Sequence, residues 1–243
     1  MISKNQIKFI KQLDQKKYRK RENVFVAEGH KVVGDLLSCG FEPHTIFATN
    51  QWKAPRDIAF QEVTDDELRK ISFLQHPQQV LAIFHMPAAS PATIQDQLVL
   101  ALDGVQDPGN LGTIIRIADW FGISDIFCSA DTADVWNPKV IQATMGSIAR
   151  VRITYTDLVA LIKEAQVPVY GTLLDGDNIY QQTLSQNGII VMGNEGNGIS
   201  PEIRQLITNK LLIPDFNTGD SHAESLNVAI ATAITCSEFR RRN

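Results

Sequence analysis

Short, continuously apolar segments alternate with helix-like segments over residues 98–240, and this alternation constrains the fold most strongly. The segment Ile189-Ile190-Val191-Met192 has no polar face, as is typical of a parallel strand that is buried on both sides. Alternating strands and helices form α/β domains with a largely parallel sheet. Ligands bind such sheets just beyond the carboxyl ends of their strands. The predicted strands are 98–102, 125–128, 152–155, 167–173, 188–192 and 210–213, and the predicted helices are 111–121, 138–148, 158–165, 201–208 and 225–240.

Residues 1–87 show a second, smaller α/β pattern. Apolar residues recur at helical spacing in a basic N-terminal helix, and a second helix over 30–39 is predicted to end at Gly40. Short apolar segments predict strands at 24–26, 45–48 and 80–84, and the Thr64 to Glu67 spacing predicts a capping box. The proline-bracketed stretch 87–91 is typical of a linker. We therefore predict one domain over 1–87 and another over 92–243.

Charge is distributed unevenly along the chain. The net charge is −4, yet residues 1–31 contain nine basic and three acidic residues, a net charge of +6, which leaves −10 for residues 32–243. A basic segment on an acidic body confines phosphate contacts to one surface. Charge runs are more often solvated helix faces, so this pattern alone leaves RNA binding and a plain surface helix equally open.

Composition excludes several classes of protein. No apolar run reaches the ~20 residues of a membrane-spanning helix, and the charged amphipathic start is unlike a signal peptide. We therefore predict a cytoplasmic protein without a membrane span. Cys39, Cys128 and Cys236 lie far apart and form no CxxC or Cys/His pair, which argues against a structural metal site and a disulfide framework.

The first stretch with candidate functional residues is 102–116, where a predicted strand leads through a Gly/Pro turn into a helix. Asn110 lies at the turn, and Arg116 follows six positions later among apolar neighbours. An arginine in such surroundings is costly unless it meets an anion or a carboxylate. A surface arginine can instead lay its stem over apolar neighbours, and taken alone the pattern slightly favours that interpretation.

The second stretch is 190–201, a glycine-rich loop after a buried strand. Gly193, Gly196 and Gly198 let a ligand approach the backbone closely, although a flexible turn would use the same residues. The order GxxGxG, late in the domain, differs from the GxGxxG of a dinucleotide-binding turn. Ser200 and Pro201 fit the N-cap and the first position of a helix.

The third stretch is 211–231. A strand ends at Pro214, and after a variable segment a helix is predicted to begin at Ser225, with Asn227 in its first turn. Free backbone N–H groups at a helix start suit a carboxylate or phosphate. Taken alone, the pattern favours a serine N-cap on an amphipathic helix.

In this order and at these strand ends, the three stretches resemble the three motifs of the SpoU (TrmH-type) family of SPOUT methyltransferases. The motifs are N-x5-R from Asn110 to Arg116, G-N-E-G from Gly193, and I-P followed by S-L-N-V from Ser225. The resemblance covers roughly residues 98–240. Residues 1–87 resemble the family's substrate-binding domain through the basic helix and residues 25–29. Residues 215–224 are longer than the family's usual loop at this place.

The resemblance implies a trefoil-knotted catalytic domain, which is an exception to the rule that chains are unknotted, preceded by a small α/β domain that binds RNA. It implies that S-adenosylmethionine binds in the knot, in a bent form, through the backbone near Gly193, Ile213 and Leu226. It also implies a homodimer with the site near the interface, and no metal. The positions that match the family's functional polar residues are Asn110, Arg116, Glu195, Ser225 and Asn227.

The activity that the resemblance implies is methyl transfer to a ribose 2′-hydroxyl. An arginine stays protonated, so we expect Arg116 to hold the adjacent phosphate and stabilise the developing alkoxide while phosphate or water takes the proton. Ser225 and Asn110 would orient Arg116 and the 2′-oxygen, and Asn227 and Glu195 would fix the loops. His222 is not assigned a role.

Three other functions are alternatives to rRNA 2′-O-methylation. A separate N-terminal domain favours ribosomal RNA over tRNA by analogy alone. A Rossmann methyltransferase or dehydrogenase needs a glycine-rich turn after the first strand, and the turn after Leu102 runs Pro108-Gly109-Asn110 instead. A non-catalytic RNA-binding protein of the same fold predicts loss of Arg116, Ser225 or Asn227, and all three are present.

Overall fold

The computed structural model describes residues 1–55, 57–88, 92, 94–217 and 223–241. Helices and strands alternate along the chain. They are α1 (Lys4–Gln12), α2 (Lys16–Glu22), β1 (Val24–Glu28), α3 (His30–Ser38), β2 (Pro43–Ala48), β3 (Gln61–Glu62), α4 (Asp65–Ile71), β4 (Val80–His85), β5 (Leu98–Leu102), α5 (Pro108–Trp120), β6 (Asp125–Cys128), α6 (Pro138–Thr144), β7 (Arg152–Tyr155), α7 (Leu158–Glu164), β8 (Val169–Asn178), β9 (Gly188–Met192), α8 (Pro201–Arg204), β10 (Asn209–Leu212) and α9 (Val228–Arg241).

The chain groups into two compact units. The first is Met1–Ala89 with Asp134–Arg150, and the second is Ser90–Ala133 with Val151–Asn243. The predicted linker lies partly outside the described residues, at positions 89–91. The domain limits 1–87 and 92–243 therefore stay a prediction, and the segment Asp134–Arg150 is an addition to the first unit that the sequence did not suggest.

The first unit is built on a four-stranded sheet with the order β1-β4-β2-β3. Strand β4 runs antiparallel to β1 and β2, and β3 is parallel to β2. The predicted capping box is confirmed, because Glu67 N donates to Thr64 Oγ1 at 3.2 Å and Thr64 N donates to Glu67 Oε2 at 3.0 Å. Gly40 follows α3 with φ +83°, the left-handed conformation that glycine adopts at little cost.

The charged residues of the two basic helices α1 and α2 face solvent, and their apolar residues face the core. Ile10 and Leu13 are fully buried in a cluster with Phe47 and Leu81. All but one of the nine cations in residues 1–31 are exposed. The exception is Arg19, which is 1% exposed and therefore belongs to the folded core of the unit.

Arg19 attaches the segment Asp134–Arg150 to the first unit. Its guanidinium donates to the carbonyls of Leu13 and Asp14 at 2.7 Å and to Asp134 Oδ2 at 2.5 Å. Beside it, the Trp136 ring packs on Phe25 with the ring centroids 4.5 Å apart. A buried ion pair that also has hydrogen-bonded partners keeps its charges compensated, so Arg19 holds the segment in place.

The stretch 25–29, which carries the N-terminal resemblance, contains a buried carboxylate. Glu28 is 5% exposed and accepts hydrogen bonds from the Ser72 hydroxyl and from Phe73 N, the latter at 2.7 Å. Burial raises the pKa of the Glu28 carboxyl above its usual value, although these hydrogen bonds partly offset it. Glu28 thereby connects β1 to the end of α4.

The second unit contains a six-stranded sheet with the order β10-β8-β9-β5-β6-β7, in which every neighbouring pair is parallel. The prediction of a mostly parallel sheet is thus confirmed. The central strands β5 and β9 are buried along their whole length, which explains their lack of a polar face. Their carboxyl ends lie side by side, since Leu102 pairs with Met192.

Several element ends differ from the predicted ones, because strand pairing and local backbone conformation set them. Strand β8 continues beyond the predicted 167–173 to Asn178, because β10 pairs with it on both sides of a register shift between Lys210 and Leu211. The helix predicted at 201–208 ends at Arg204. The helix predicted at 138–148 ends at Thr144, where Met145 adopts the left-handed conformation. Within the described ranges, no helix combines the length and apolar character that a membrane span requires.

Candidate active site

The carboxylate of Glu195 connects the loop after β9 to the loop after β5. Glu195 Oε2 accepts from Gln106 N at 3.1 Å, and Oε1 accepts from Asp107 N at 3.1 Å and from Asn110 Nδ2 at 3.0 Å. Hydrogen bonds to a carboxylate are stronger than those between neutral groups. The second and first predicted stretches are therefore held together by one side chain.

Asn110 and Asn227 extend this network to the third stretch. Asn227 Nδ2 donates to Asn110 Oδ1 at 2.9 Å. Asn227 Oδ1 also accepts from Ala229 N at 3.0 Å and from Ile230 N at 3.3 Å, which makes it the N-cap of α9. The prediction that this helix begins at Ser225 was wrong: it begins at Val228, because asparagine rather than serine satisfies its free N–H groups.

Two polar side chains that the sequence analysis did not select, those of Asn194 and Asp103, shape the glycine loop. Asn194 Nδ2 donates to the Gly104 carbonyl at 2.7 Å, and Asn194 Oδ1 accepts from Gly196 N and Asn197 N at 2.9 Å. Ser200 N donates to Asp103 Oδ2 at 2.7 Å. Asn194 lies inside the G-N-E-G motif, and asparagine side chains often hydrogen-bond the backbone in turns, so this role could have been predicted from the sequence.

Asp107 is a third residue that was missed. Its Oδ1 accepts from Asn110 N at 2.8 Å, so it caps α5, and Pro108 occupies the first helical position. An aspartate followed by proline is a known helix-start signal, and it places the helix start before the predicted residue 111. Asn110 is consequently in the first turn of α5 rather than in the turn before it.

A cavity of about 840 Å³ lies beside the network, within the second unit. Its size falls in the range of small-molecule pockets. The lining combines apolar side chains with the three predicted cofactor-binding positions and three of the five predicted polar positions, whereas Asn110 and Arg116 are not part of it. The lining includes Met192, Gly193, Glu195, Ile199, Leu211, Ile213, Ser225, Leu226 and Asn227.

Gly193 lies where the loop turns back on itself. A Cβ on this residue would stand 2.6 Å from the Gly198 carbonyl oxygen and would also overlap the backbone between Gly198 and Ile199. Real Cβ atoms do not approach backbone atoms so closely. Glycine is therefore required at position 193 by the path of the chain that forms the cavity wall.

One wall of the cavity carries opposite charges. The Asp175 carboxylate is bound by the Arg204 guanidinium and lies 3.2 Å from Lys210 Nζ. Hydrogen bonds from Arg204 and Lys210 lower the pKa of the Asp175 carboxyl, so it stays ionised at neutral pH. Arg204 and Asp175 line the cavity as a neutral pair.

Two of the predicted polar residues are not joined to the network. Arg116 lies on the exposed side of α5, opposite the buried Ile114, Ile115 and Ala118. Six residues at about 1.5 Å each place it about 9 Å along the helix axis from Asn110. Within the described ranges, neither Arg116 nor Ser225 makes a hydrogen bond or ion pair. Their catalytic roles stay a prediction, although Ser225 does line the cavity.

The structure shows how Glu195 retains its charge. Burial acts to raise the pKa of the Glu195 carboxyl, but hydrogen bonds from Asn110, Gln106 and Asp107 outweigh it and lower the pKa. The stability that Glu195 contributes is therefore present above the ordinary carboxyl pKa. It is lost as the pH falls through the lowered value.

We expect Glu195→Gln to destabilise the protein by on the order of 1 kcal/mol at neutral pH, because an amide offers one acceptor oxygen to three donors. The difference from wild type should shrink as the pH falls through the lowered pKa of the wild-type carboxyl, below which that carboxyl is itself protonated. Thermal unfolding across this range measures both. Glu202→Gln on α8 removes a carboxylate that lacks these partners and should leave stability unchanged. A pH-independent difference for Glu195→Gln would contradict the assigned charge state.

Among residues 1–55, 57–88, 92, 94–217 and 223–241, no three histidine, cysteine, aspartate or glutamate side chains are placed to hold an ion. The long loop 215–224 is only partly described, and His222 lies outside the described residues together with positions 218–221.

Comparison with known proteins agrees with these stretches. The sequence profile of the SpoU rRNA Methylase family matches residues 97–237, and that of the MRM3-like substrate binding domain matches residues 4–82. The chain is 33% identical over 247 residues to the Bacillus subtilis 23S rRNA (guanosine(2553)-2′-O)-methyltransferase RlmP, a match that covers 98% of this chain and 97% of the relative.

Two solved structures are similar over the whole chain. A protein of the TrmH family from Porphyromonas gingivalis is 43% identical with a TM-score of 0.89, and the match covers 100% of both chains. The AdoMet-bound rRNA methyltransferase from Sinorhizobium meliloti is 32% identical with a TM-score of 0.87, covering 100% of this chain and 97% of the other. Together with the hydrogen bonds that join the three motif stretches through Glu195, Asn110 and Asn227, these matches show that the chain belongs to the SpoU rRNA methylase family.

Proposed function

We propose that this chain transfers a methyl group from S-adenosylmethionine to a ribose 2′-hydroxyl in ribosomal RNA. The observation that carries the proposal is the series of hydrogen bonds that links Glu195 to Asn110 and Asn110 to Asn227. It joins the three motif stretches beside a cavity that Glu195 and Asn227 line, at the carboxyl ends of the strands, where parallel sheets bind ligands. The RNA-methylating relatives support the same activity.

The cavity suits S-adenosylmethionine in size and in chemistry. Its volume of about 840 Å³ admits a ligand of this class. The backbone at Gly193, Ile213 and Leu226 offers hydrogen-bonding groups, while Met192, Ile199 and Leu211 supply apolar walls. When bound, S-adenosylmethionine supplies an electrophilic methyl group on a sulfonium sulfur. We propose that the three backbone positions hold it and that the chain is knotted in the manner of the family.

The polar residues of the site have two kinds of role: some hold the loops together, and the others act on the RNA substrate. Glu195 and Asn227 hold the loops through the bonds described above, and Asn110 joins the two. We propose that Arg116 binds the phosphate beside the target ribose and stabilises the negative charge that develops on the 2′-oxygen. The proton passes to phosphate or water, since arginine keeps its own proton. Ser225, which lines the cavity, orients the 2′-hydroxyl by hydrogen bonding.

We further propose that the chain acts as a homodimer. Trp120 on α5 is 85% exposed and Ile230 on α9 is 52% exposed, and these two helices pack against each other in the second unit. Large apolar residues exposed on adjoining helices are typical of an interface between subunits. A homodimer through this face would bring a partner's surface next to Arg116. A single-protomer mass in solution, measured by light scattering of the full chain, would contradict this proposal.

The first unit is proposed to bind the RNA substrate in the cytoplasm. Its helices α1 and α2 present exposed lysines and Arg21, which suit phosphate contacts. The match of residues 4–82 to a substrate binding domain supports the assignment of RNA binding to the first unit. Arg19 is excluded from the RNA-binding surface because its charge is buried and paired with Asp134.

Mapping of 2′-O-methyl positions in cellular RNA, with and without the gene, tests the proposed substrate. We expect one position in the large-subunit rRNA to lose its methyl group when the gene is removed and to regain it on complementation. An unchanged rRNA pattern with a lost tRNA methyl group would favour the tRNA alternative. An unchanged pattern in every RNA would favour the non-catalytic alternative.

A further inference from the structure

Three aromatic rings form a continuous surface in the first unit. The Phe9 and His44 ring centroids are 6.0 Å apart, and those of His44 and His85 are 5.4 Å apart. They come from α1, β2 and the end of β4. His44 is exposed, and Phe9 and His85 are partly exposed. We call these three residues the aromatic platform.

His44 occupies a bulge in the sheet. Pro43 pairs with Phe84 and Thr45 pairs with Ile83, so the intervening His44 has no partner on β4. A bulge redirects one side chain out of the regular alternation and is common beside functional sites. The bulge leaves the His44 ring in solvent, next to Phe9.

The ring of His44 is also fixed in orientation. The Thr45 hydroxyl donates to the His44 carbonyl at 2.8 Å, and His44 Nδ1 lies 2.9 Å from the same hydroxyl oxygen. The contact with the Thr45 hydroxyl holds the Nδ1 edge of the ring in place. Nε2 therefore remains for a ligand.

Exposed cations lie close in sequence to members of the aromatic platform. Lys8 precedes Phe9 on α1 and is exposed. Val24 pairs with His85, and Lys20 and Arg21 come only four and three residues before Val24 at the end of α2. Exposed aromatic rings beside backbone-binding cations are the combination that proteins use for single-stranded nucleic acid.

We propose that the aromatic platform binds an unpaired base of the RNA substrate, with Phe9 and His44 stacking on the base and His85 closing one edge. The proposal rests on the proposed function and adds a specific contact to it. Lys8 and the cations at the end of α2 hold the phosphates on either side. The first unit thus selects a single-stranded or bulged segment rather than a continuous duplex.

Fluorescence anisotropy of the full chain with two probes tests the proposal: a short labelled oligouridylate and a short blunt RNA duplex. We expect Phe9→Leu and His44→Ala each to weaken oligouridylate binding by about tenfold and to change duplex binding by less than about twofold. His44→Tyr should retain affinity because it keeps a ring. Lys8→Gln should weaken both probes and reduce the salt dependence of binding, whereas Phe9→Leu should leave the salt dependence unchanged.

Matched substitutions elsewhere in the first unit serve as controls. Phe60→Leu and His76→Ala remove a partly exposed phenylalanine and an exposed histidine that are not part of the aromatic platform, and should leave both affinities unchanged. Unfolding midpoints confirm that Phe9→Leu, which also touches the core, is folded. Wild-type affinity of Phe9→Leu and His44→Ala for oligouridylate would overturn the stacking contact while leaving the proposed function standing. Equal weakening on both probes would also overturn it, and binding of neither probe by wild type would contradict the RNA role itself.

Discussion

Arg116→Ala is expected to abolish methyl transfer while leaving the fold and cofactor binding intact. Arg116 is exposed and makes no hydrogen bond or ion pair within the described part of the chain, so its removal breaks no internal contact. Surface substitutions of this kind change stability by about 0.5 kcal/mol or less. Loss of a group that stabilises charge only in the transition state costs about a hundredfold or more in rate. Single-turnover transfer from labelled cofactor measures the rate.

Arg116→Lys separates charge from shape. Lysine keeps the positive charge but loses the planar fork that grips a phosphate with two N–H groups, so we expect a similarly severe loss. Lys163→Ala on α7 removes an exposed helical cation of the same unit and should transfer at the wild-type rate. Rates within a few-fold of wild type for both Arg116 variants would make this residue an ordinary surface arginine.

Gly193→Trp is expected to eliminate cofactor binding. Even a methyl group at this position would collide with the backbone of Gly198 and Ile199, and an indole must displace the loop that forms the cavity wall. Calorimetry with S-adenosylhomocysteine measures the affinity, which should be undetectable for Gly193→Trp and strongly reduced for Gly193→Ala. Binding of NAD should be absent in all variants, because the loop lacks the dinucleotide-binding order of glycines.

The glycine at position 196 provides the matched control in the same loop. A Cβ there would meet only Asn194 Oδ1, at 3.6 Å, which is an ordinary contact distance. Gly196→Ala keeps the N–H group that donates to Asn194 and should keep the affinity within a few-fold. Wild-type cofactor affinity in Gly193→Trp would show that the cavity is not the cofactor site.

The centre of the second unit's sheet could be predicted because β5, β6 and β9 are buried along their whole length. Buried parallel strands are largely apolar, and the predicted limits of these three strands match the structure, as do those of the less buried β7. Strand β8 was harder, since its second half is partly exposed and continues only because β10 pairs with it. Pairing partners distant in sequence decide such ends, and a single sequence does not show them.

The site was predictable as three stretches but not as a set of contacts. Their order and their position after strands placed Asn110, Glu195 and Asn227 at the carboxyl edge of the sheet, and the structure joins them. The sequence did not distinguish Ser225 from Asn227 as the cap of α9, because both residue types favour that position. Only the path of the loop decides which side chain reaches the free N–H groups.

The segment Asp134–Arg150 was unpredictable for a similar reason. Arg19 looked like one more cation of a solvated helix, and its partner Asp134 lies 115 residues away. A long-range ion pair leaves no local pattern. The segment also matters for experiments, because removing residues 1–90 would uncover its buried Val140 and Ile141. Single substitutions in the full chain therefore test the first unit more cleanly than truncation.

The most direct test of the proposed activity is the chemical position of the transferred methyl group. Purified protein is incubated with labelled S-adenosylmethionine and two rRNA fragments, one natural and one carrying a 2′-deoxy nucleotide at the mapped target. We predict that label enters the natural fragment as a 2′-O-methylnucleoside, which blocks alkaline cleavage of the next phosphodiester, and that the deoxy fragment stays unlabelled. Label on a base, or equal labelling of both fragments, would contradict the assignment of this chain as a ribose 2′-O-methyltransferase.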